Sequence, residues 1–201
     1  MTIRIAGFTK LPRRSFNTQT LTTVTPETRF IKPRSSYFPV NSLKFLDLSL
    51  KDLSNTIFQS NTTFLEVWAI QTQLTGSTLE DAIIQECEFD GANLSRVYAP
   101  DSQVVGTSFT CCDLHYADFS DTRFEICDMT SITAPGIVLR GATFKHVILD
   151  NADLRYADLR DCDFRHASLE HVNLTGAKLK GAKFPKNFRL TTRGSSLAQN
   201  L

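Results

Sequence analysis

The 201-residue chain is marked first by what it lacks. It has no run approaching 18 consecutive apolar residues, so it contains no candidate membrane helix. Its first residues lack the apolar core of a secretory signal peptide, so no cleaved export signal is expected. It has one Trp, two Met and four His, and no C-x-x-C, H-E-x-x-H, phosphate-loop or G-x-S-x-G pattern. Zinc, redox, phosphoryl-transfer and acyl-transfer chemistry therefore have no motif to rest on. No catalytic residue, cofactor or metal site is expected, and the chain reads as non-enzymatic.

Charge of one sign is also absent overall, with a net of +1, but the average conceals an order. Residues 1–50 carry eight Lys or Arg against two acids, residues 62–130 twelve acids against two Arg, and residues 131–186 nine bases against six acids. The first 40 residues have no apolar period and are rich in Thr, with Pro12, Pro26, Pro33 and Pro39 spread among them. Lys10, Arg13, Arg14, Arg29, Lys32 and Arg34 face the single acid Glu27. Such a segment reads as disordered. It is compatible with a bacterial effector's secretion leader, an organelle transit peptide, or a plain solvated tail.

What is present is a period of five. From Ala142 to Phe184 every fifth residue is Leu or Phe: Phe144, Leu149, Leu154, Leu159, Phe164, Leu169, Leu174, Leu179, Phe184. Two residues before each stands a small one, such as Ala152, Ala157, Cys162 or Ala177. Neither the helical period of 3.6 nor the strand period of 2 produces this. The pattern runs back without insertion to Thr62, giving 25 consecutive fives over residues 62–186. Four of the five cysteines (Cys87, Cys112, Cys127, Cys162) fall on the small position, which reads as buried reduced thiols in a reducing compartment.

Units such as ADLRY, ADLRD, ANLSR and ADFSD resemble the A(D/N)LXX consensus of the pentapeptide-repeat family. The resemblance implies an all-β fold: a right-handed quadrilateral β-helix of about six coils, four fives to the coil, with Leu or Phe and the small residue pointing inward. A five-residue unit cannot bury its own Leu, so stacked coils must build the core. Twenty residues per coil places Phe64, Ile84, Val104, Phe124, Phe144, Phe164 and Phe184 in one interior column.

The organisation expected is a disordered basic leader over 1–40, a capping segment over 41–61, the β-helix over 62–186 and a tail over 187–201. Within the cap, Leu43, Leu46, Leu50, Leu53 and Ile57 follow helical spacing, whereas Leu43, Leu48, Leu53 and Phe58 follow the period of five. A short helix or irregular cap is expected there. Ala99-Pro100 and Ala134-Pro135-Gly136 replace the central Leu by Ala before a proline, and a local bulge or kink is expected at each.

Two surface features stand out. Asp81, Asp101, Asp121 and Asp161, with Glu80 and Asp118 beside them, form an acidic strip on one face and are the candidate interaction surface. Some members of the resembled family imitate the charge of DNA to occupy topoisomerases, and stacked carboxylates could stand in for phosphates; turn-forming Asp is the plainer reading. Leu65, Trp68, Ile70 and Ile83 point outward on the first coils, to be covered by the cap or a partner. His146, His166 and His171, and the outward Cys111 near His115, read as surface residues. The expectation is a protein-binding rod without direct nucleic-acid binding or membrane span, with a homodimer through a terminal coil as one mode of association. A secreted effector leads as the biological reading, against a DNA-mimicking gyrase regulator or a plastid protein.

Overall fold

A computed structural model describes residues 41–189 and the backbone of Tyr37–Phe38. The remainder of the expected leader and the tail beyond Arg189 lie outside the described residues. Every strand pairing is parallel, and no described residue is helical. Strands β1 (Tyr37–Phe38) and β3 (Ile57–Phe58) pair with each other. Strands β2 (Ser42–Lys44), β4 (Thr63–Leu65), β5 (Ile83–Gln85), β6 (Gln103–Val105), β7 (Arg123–Glu125), β8 (Thr143–Ile148) and β9 (Asp163–Ser168) form one seven-stranded sheet in chain order.

From Thr63 onward the register advances by 20 residues: Thr63↔Ile83↔Gln103↔Arg123↔Thr143↔Asp163. The other three sides of each coil carry single parallel bridges at the same step, such as Trp68↔Glu88, Gln73↔Asn93 and Thr78↔Tyr98. The solenoid thus has four faces, one for each five, and six regular coils over 62–181. The central residues of all faces form one buried core with the small residues between them.

Each position of the five has a physical task. On most sides the carbonyl of the central residue accepts the N–H of the next small residue, as in Ser77 N–H to Leu74 at 3.0 Å and Ala157 N–H to Leu154 at 3.2 Å. The residue two after the centre turns the corner with positive φ, which together with that bond gives a type II turn. The Asp or Asn just before the centre accepts the backbone N–H two residues on, as Asp118 does from Ser120 at 2.9 Å and Asn173 from Thr175 at 3.1 Å. That bond is the physical content of the D/N in the consensus.

Residues 41–58 are neither a helix nor an irregular cap. They form a further coil, paired to the next at an offset of 21: Ser42↔Thr63, Asp47↔Trp68, Asp52↔Gln73, Ile57↔Thr78. Leu48 is buried at 2% exposure and Leu50 is open at 75%, the reverse of what the helical spacing required. Ladder bonds to the coil above decide the matter, because a lone three-turn helix has no comparable partner. As the first coil it still stands at the end of the array. The extra residue lies near Asn61, which takes φ of 63°.

The expected kinks at the two prolines are absent. Ala99 N–H donates to Asp118 at 2.7 Å, Ala134 N–H to Asp153 at 2.9 Å, and Asp81 and Tyr116 reach the carbonyls of Pro100 and Pro135 at 3.0 and 3.2 Å. Pro100 and Pro135 occupy the second position of the turn, where φ near −65° is wanted and no ladder donor is lost. The register shift falls instead between β8 and β9, where Lys145 pairs with His166. At the far end Phe188 stacks on Phe184 with centroids 4.6 Å apart. It closes a column that continues through Phe164, Phe144 and Phe124 at 5.6, 4.5 and 5.2 Å.

Candidate protein-interaction surface

The fourth face is the side centred on Leu79, Ala99, Phe119, Leu139, Leu159 and Leu179, all buried. The six acidic residues picked from sequence lie on it or on its trailing corner. Asp81, Asp101, Asp121 and Asp161 occupy the corner, with φ of 55°, 57°, 54° and 61°. Asp visits this left-handed region far more readily than most residues, so the backbone itself favours Asp there. Asp101, Asp121 and Asp161 are exposed; Asp81 is half-buried and accepts the Ser60 hydroxyl at 2.7 Å. Glu80, beside Asp81, is exposed. Asp118 lies on the other side of the centre, half-buried and bonded to the backbone N–H and hydroxyl of Ser120.

The strip is interrupted once. Gly141 takes the corner between Asp121 and Asp161, and the Asp121 carboxylate occupies the space that a Cβ at Gly141 would need. From there bases join the face: Arg140, Arg160, Lys178 and Lys180 follow in the later coils, with Asp158 and Asp161 among them. Arg160 is itself tied to Asp158 through Nε–Oδ1 at 2.7 Å and Nη2–Oδ2 at 2.6 Å.

That pair belongs to a set the sequence reading missed. Arg155–Asp153, Arg160–Asp158 and Arg165–Asp163 repeat one two-pronged arrangement on three successive faces, closing at 2.7, 2.6 and 2.6 Å. The signal was present as D-L-R, D-L-R, D-F-R at 153–165. The Arg165 hydrogen bond lowers the Asp163 carboxyl to about 2. On the first face Glu125 is held below its ordinary value by Lys145 and Arg123, whose nitrogens lie at 2.5 and 2.9 Å.

The apolar group Leu65, Trp68, Ile70 and Ile83 is half-buried rather than open. In the ladder Leu65 lies between Lys44 and Gln85, and Trp68 between Asp47 and Glu88. The 41–58 coil expected to cover this group from outside lies below it in the stack. Among the described residues the exposed large apolar side chains are instead Phe45, Leu50 and Ile57 of the first coil, Ile126, and Tyr98, Tyr116 and Tyr156.

The inward thiols behave as the hydroxyls at the same position do. Cys112 and Cys162 donate to the carbonyls of Phe89 and Leu139 at 2.9 and 2.8 Å. Thr72, Ser77 and Ser102 make the same bond to Leu48, Leu53 and Leu79. All five cysteines are free, and burial raises Cys87, Cys127 and Cys162 to about 12. Cys111 is the exposed one. His115 meets Asp113 at 2.5 Å, and the His146 and His166 rings are 6.3 Å apart.

A family model of pentapeptide repeats, in eight copies, matches residues 72–110, 87–125, 127–161 and 148–185, more than half of the chain. The chain belongs to the pentapeptide-repeat family. Solved structures of that fold resemble this pentapeptide-repeat protein at low identity. A trypsin-treated variant of QnrB1, a plasmid-mediated fluoroquinolone resistance protein, is 15% identical over 78% of this chain and 88% of its own, with a TM-score of 0.47. HetL, involved in heterocyst differentiation regulation in the cyanobacterium Nostoc sp. strain PCC 7120, is 20% identical over 73% and 88%, with a TM-score of 0.26. A protein of the Arabidopsis thaliana thylakoid lumen is 20% identical over 71% and 70%, with a TM-score of 0.31. Comparison with curated proteins gives no match. Scores this low transfer no function; the fold stands on the coil register and the family match.

Proposed function

We propose that this pentapeptide-repeat protein is a non-catalytic protein-binding module that makes contact through its fourth face. The observation that carries the reading is the order of charge on that face. Glu80, Asp81, Asp101, Asp118 and Asp121 make the early coils purely acidic, and Arg140, Arg160, Lys178 and Lys180 outweigh Asp158 and Asp161 in the later ones. A stacked solenoid fixes these groups at a repeat of ~4.8 Å, so little ordering is needed on binding. Fixed charges of both signs on one surface give specificity and orientation to a protein partner.

The same order weakens the reading of a DNA-mimicking gyrase regulator. Phosphates along a strand all carry one sign, whereas this face mixes signs after Asp121, with Arg140, Arg160, Lys178 and Lys180 against Asp158 and Asp161. The first 40 residues, basic and rich in Thr and Ser, support delivery of the module as a secreted bacterial effector, with a plastid address as the competing use of the same composition.

The test replaces Glu80 by Gln and Asp81, Asp101, Asp118, Asp121 and Asp161 by Asn. Asn tolerates the corner conformation and keeps the Asx bond at 118, so the fold is retained. The tagged variant is expected to lose the partner that the unmodified protein captures. Undiminished capture contradicts the reading. Inhibition of gyrase supercoiling by the pure protein favours DNA mimicry instead. A reporter fused to residues 1–50 that stays inside bacteria with an active secretion system removes the effector address.

A further inference from the structure

The fourth face passes from early coils that carry only acids to later coils in which four bases outweigh Asp158 and Asp161, and this change of net charge makes the face complementary to itself. We propose that it pairs with the fourth face of a second copy of this chain, the two rods lying side by side and antiparallel. The inference rests on the reading of this face as the contact surface and names its partner.

The geometry follows from a two-fold axis crossing the rods where the sign changes, between the coil of Asp121 and the coil of Arg140. Such an axis sets each column of the face against the same column of the other copy, running the opposite way. Glu80 then faces Lys180, and Ser120 faces Arg140. At the corner Asp81 faces Gly181 and Asp121 faces Gly141, so each of these carboxylates meets a residue without a side chain and stands beside Lys180 or Arg140. Asp101 meets Asp161, a like-charged pair that lies beside the Arg160 of the copy supplying Asp161, itself bound to Asp158. Glu80, Lys178 and Lys180 are exposed, as pairing requires.

The alternative orientation is excluded by the same charges. Parallel rods would set every coil against the same coil of the other copy, placing the early acidic coils against each other and the net-basic last coils likewise. Like charges brought together across an interface cost several kcal/mol. The mode also differs from end-to-end association through a terminal coil, because it uses the flank of the rod and leaves both ends free.

Sedimentation equilibrium of the full chain tests the proposal. At low salt the mass is expected at twice the monomer's 22.5 kDa, falling toward 22.5 kDa in about 1 M salt, where the screening length is ~3 Å. Glu80→Lys with Asp81→Lys is expected to give monomer, and so is Lys178→Glu with Lys180→Glu. Mixing the two variants is expected to restore the doubled mass, because each supplies the charge the other has reversed. Circular dichroism confirms that both variants are folded. A wild-type monomer at every salt and concentration overturns the proposal, as does a dimer that both reversals leave intact or a mixture that stays monomeric. If the chain is monomeric but the neutralised variant of the preceding section still loses its captured partner, the face binds another protein and only the self-pairing fails.

Discussion

Tyr116 lies across Gly136 of the next coil so closely that a Cβ on the glycine would stand 2.7 Å from the ring's Cδ1 and Cε1. Tyr156 and Gly176 repeat the relationship one pair further on, at 2.5 and 2.8 Å. Both glycines turn their corners at positive φ, of 70° and 72°. A corner glycine therefore makes room for a large corner residue one coil earlier, and the two choices are coupled in sequence at a distance of 20.

From this coupling Gly136→Ala is expected to cost more than the left-handed backbone alone, which is about 1–2 kcal/mol. Adding Tyr116→Ala should recover the excess and leave the backbone cost. Gly106→Ala supplies the reference, because its Cβ would stand at an ordinary 3.5 Å from Glu86 Cγ. Thermal unfolding of the four proteins checks this. Equal losses at 106 and 136 would show that the ring moves aside freely.

The thiols separate into one accessible group and four inert ones. Burial raises Cys87, Cys127 and Cys162 to about 12 and Cys112 further in the same direction. In the folded protein a thiol reagent near pH 8 is expected to titrate one group, Cys111, and all five after denaturation. The sign for stability follows from linkage. Unfolded thiols ionise near 9 and folded ones near 12, so their contribution is intact below pH 9 and is lost as pH rises toward 12. Replacing Cys87, Cys127 and Cys162 by Ala should flatten the fall in melting temperature across that window.

Asp163 gives the acid-side counterpart. Its carboxyl is lowered from 3.8 to about 2 by the Arg165 hydrogen bond, so it stabilises the fold above pH 4 and that contribution is lost as pH falls through 2. Arg165 is exposed and Asp163 half-buried, so Asp163→Asn should cost about 1 kcal/mol or less at pH 7 and progressively less as pH falls through 2. A loss of equal size at both pH values would show that the charge of Asp163 is not its source.

Much of this was legible because one period fixes both the inward positions and the stacking partners. Phe124, Phe144 and Phe164 could be set in a column from the sequence, and they stack there. The first coil was harder, since Leu43 and Leu53 satisfy a helix and a five-residue repeat equally well; the burial of Leu48 and Phe58 against the exposure of Leu50 and Ile57 distinguishes them. The prolines misled because proline was weighed as a lost ladder donor, whereas the second turn position has no such donor to lose. The Arg155, Arg160 and Arg165 forks were overlooked because the consensus treats their positions as free. Asp at the corners was visible, but its backbone cause, a positive φ at Asp81, Asp101, Asp121 and Asp161, appears only in three dimensions.

The central claim is that contact runs through the fourth face, and carboxylate footprinting tests it most directly. The protein is modified with a carbodiimide and a small amine, alone and in its bound state, and each site is quantified by mass spectrometry. Asp81, Asp101 and Asp121 are expected to lose reactivity on binding, while Glu66 and Glu86, at a corner of the first face, keep theirs. Protection of Glu66 and Glu86 with the fourth-face aspartates unchanged would contradict the account.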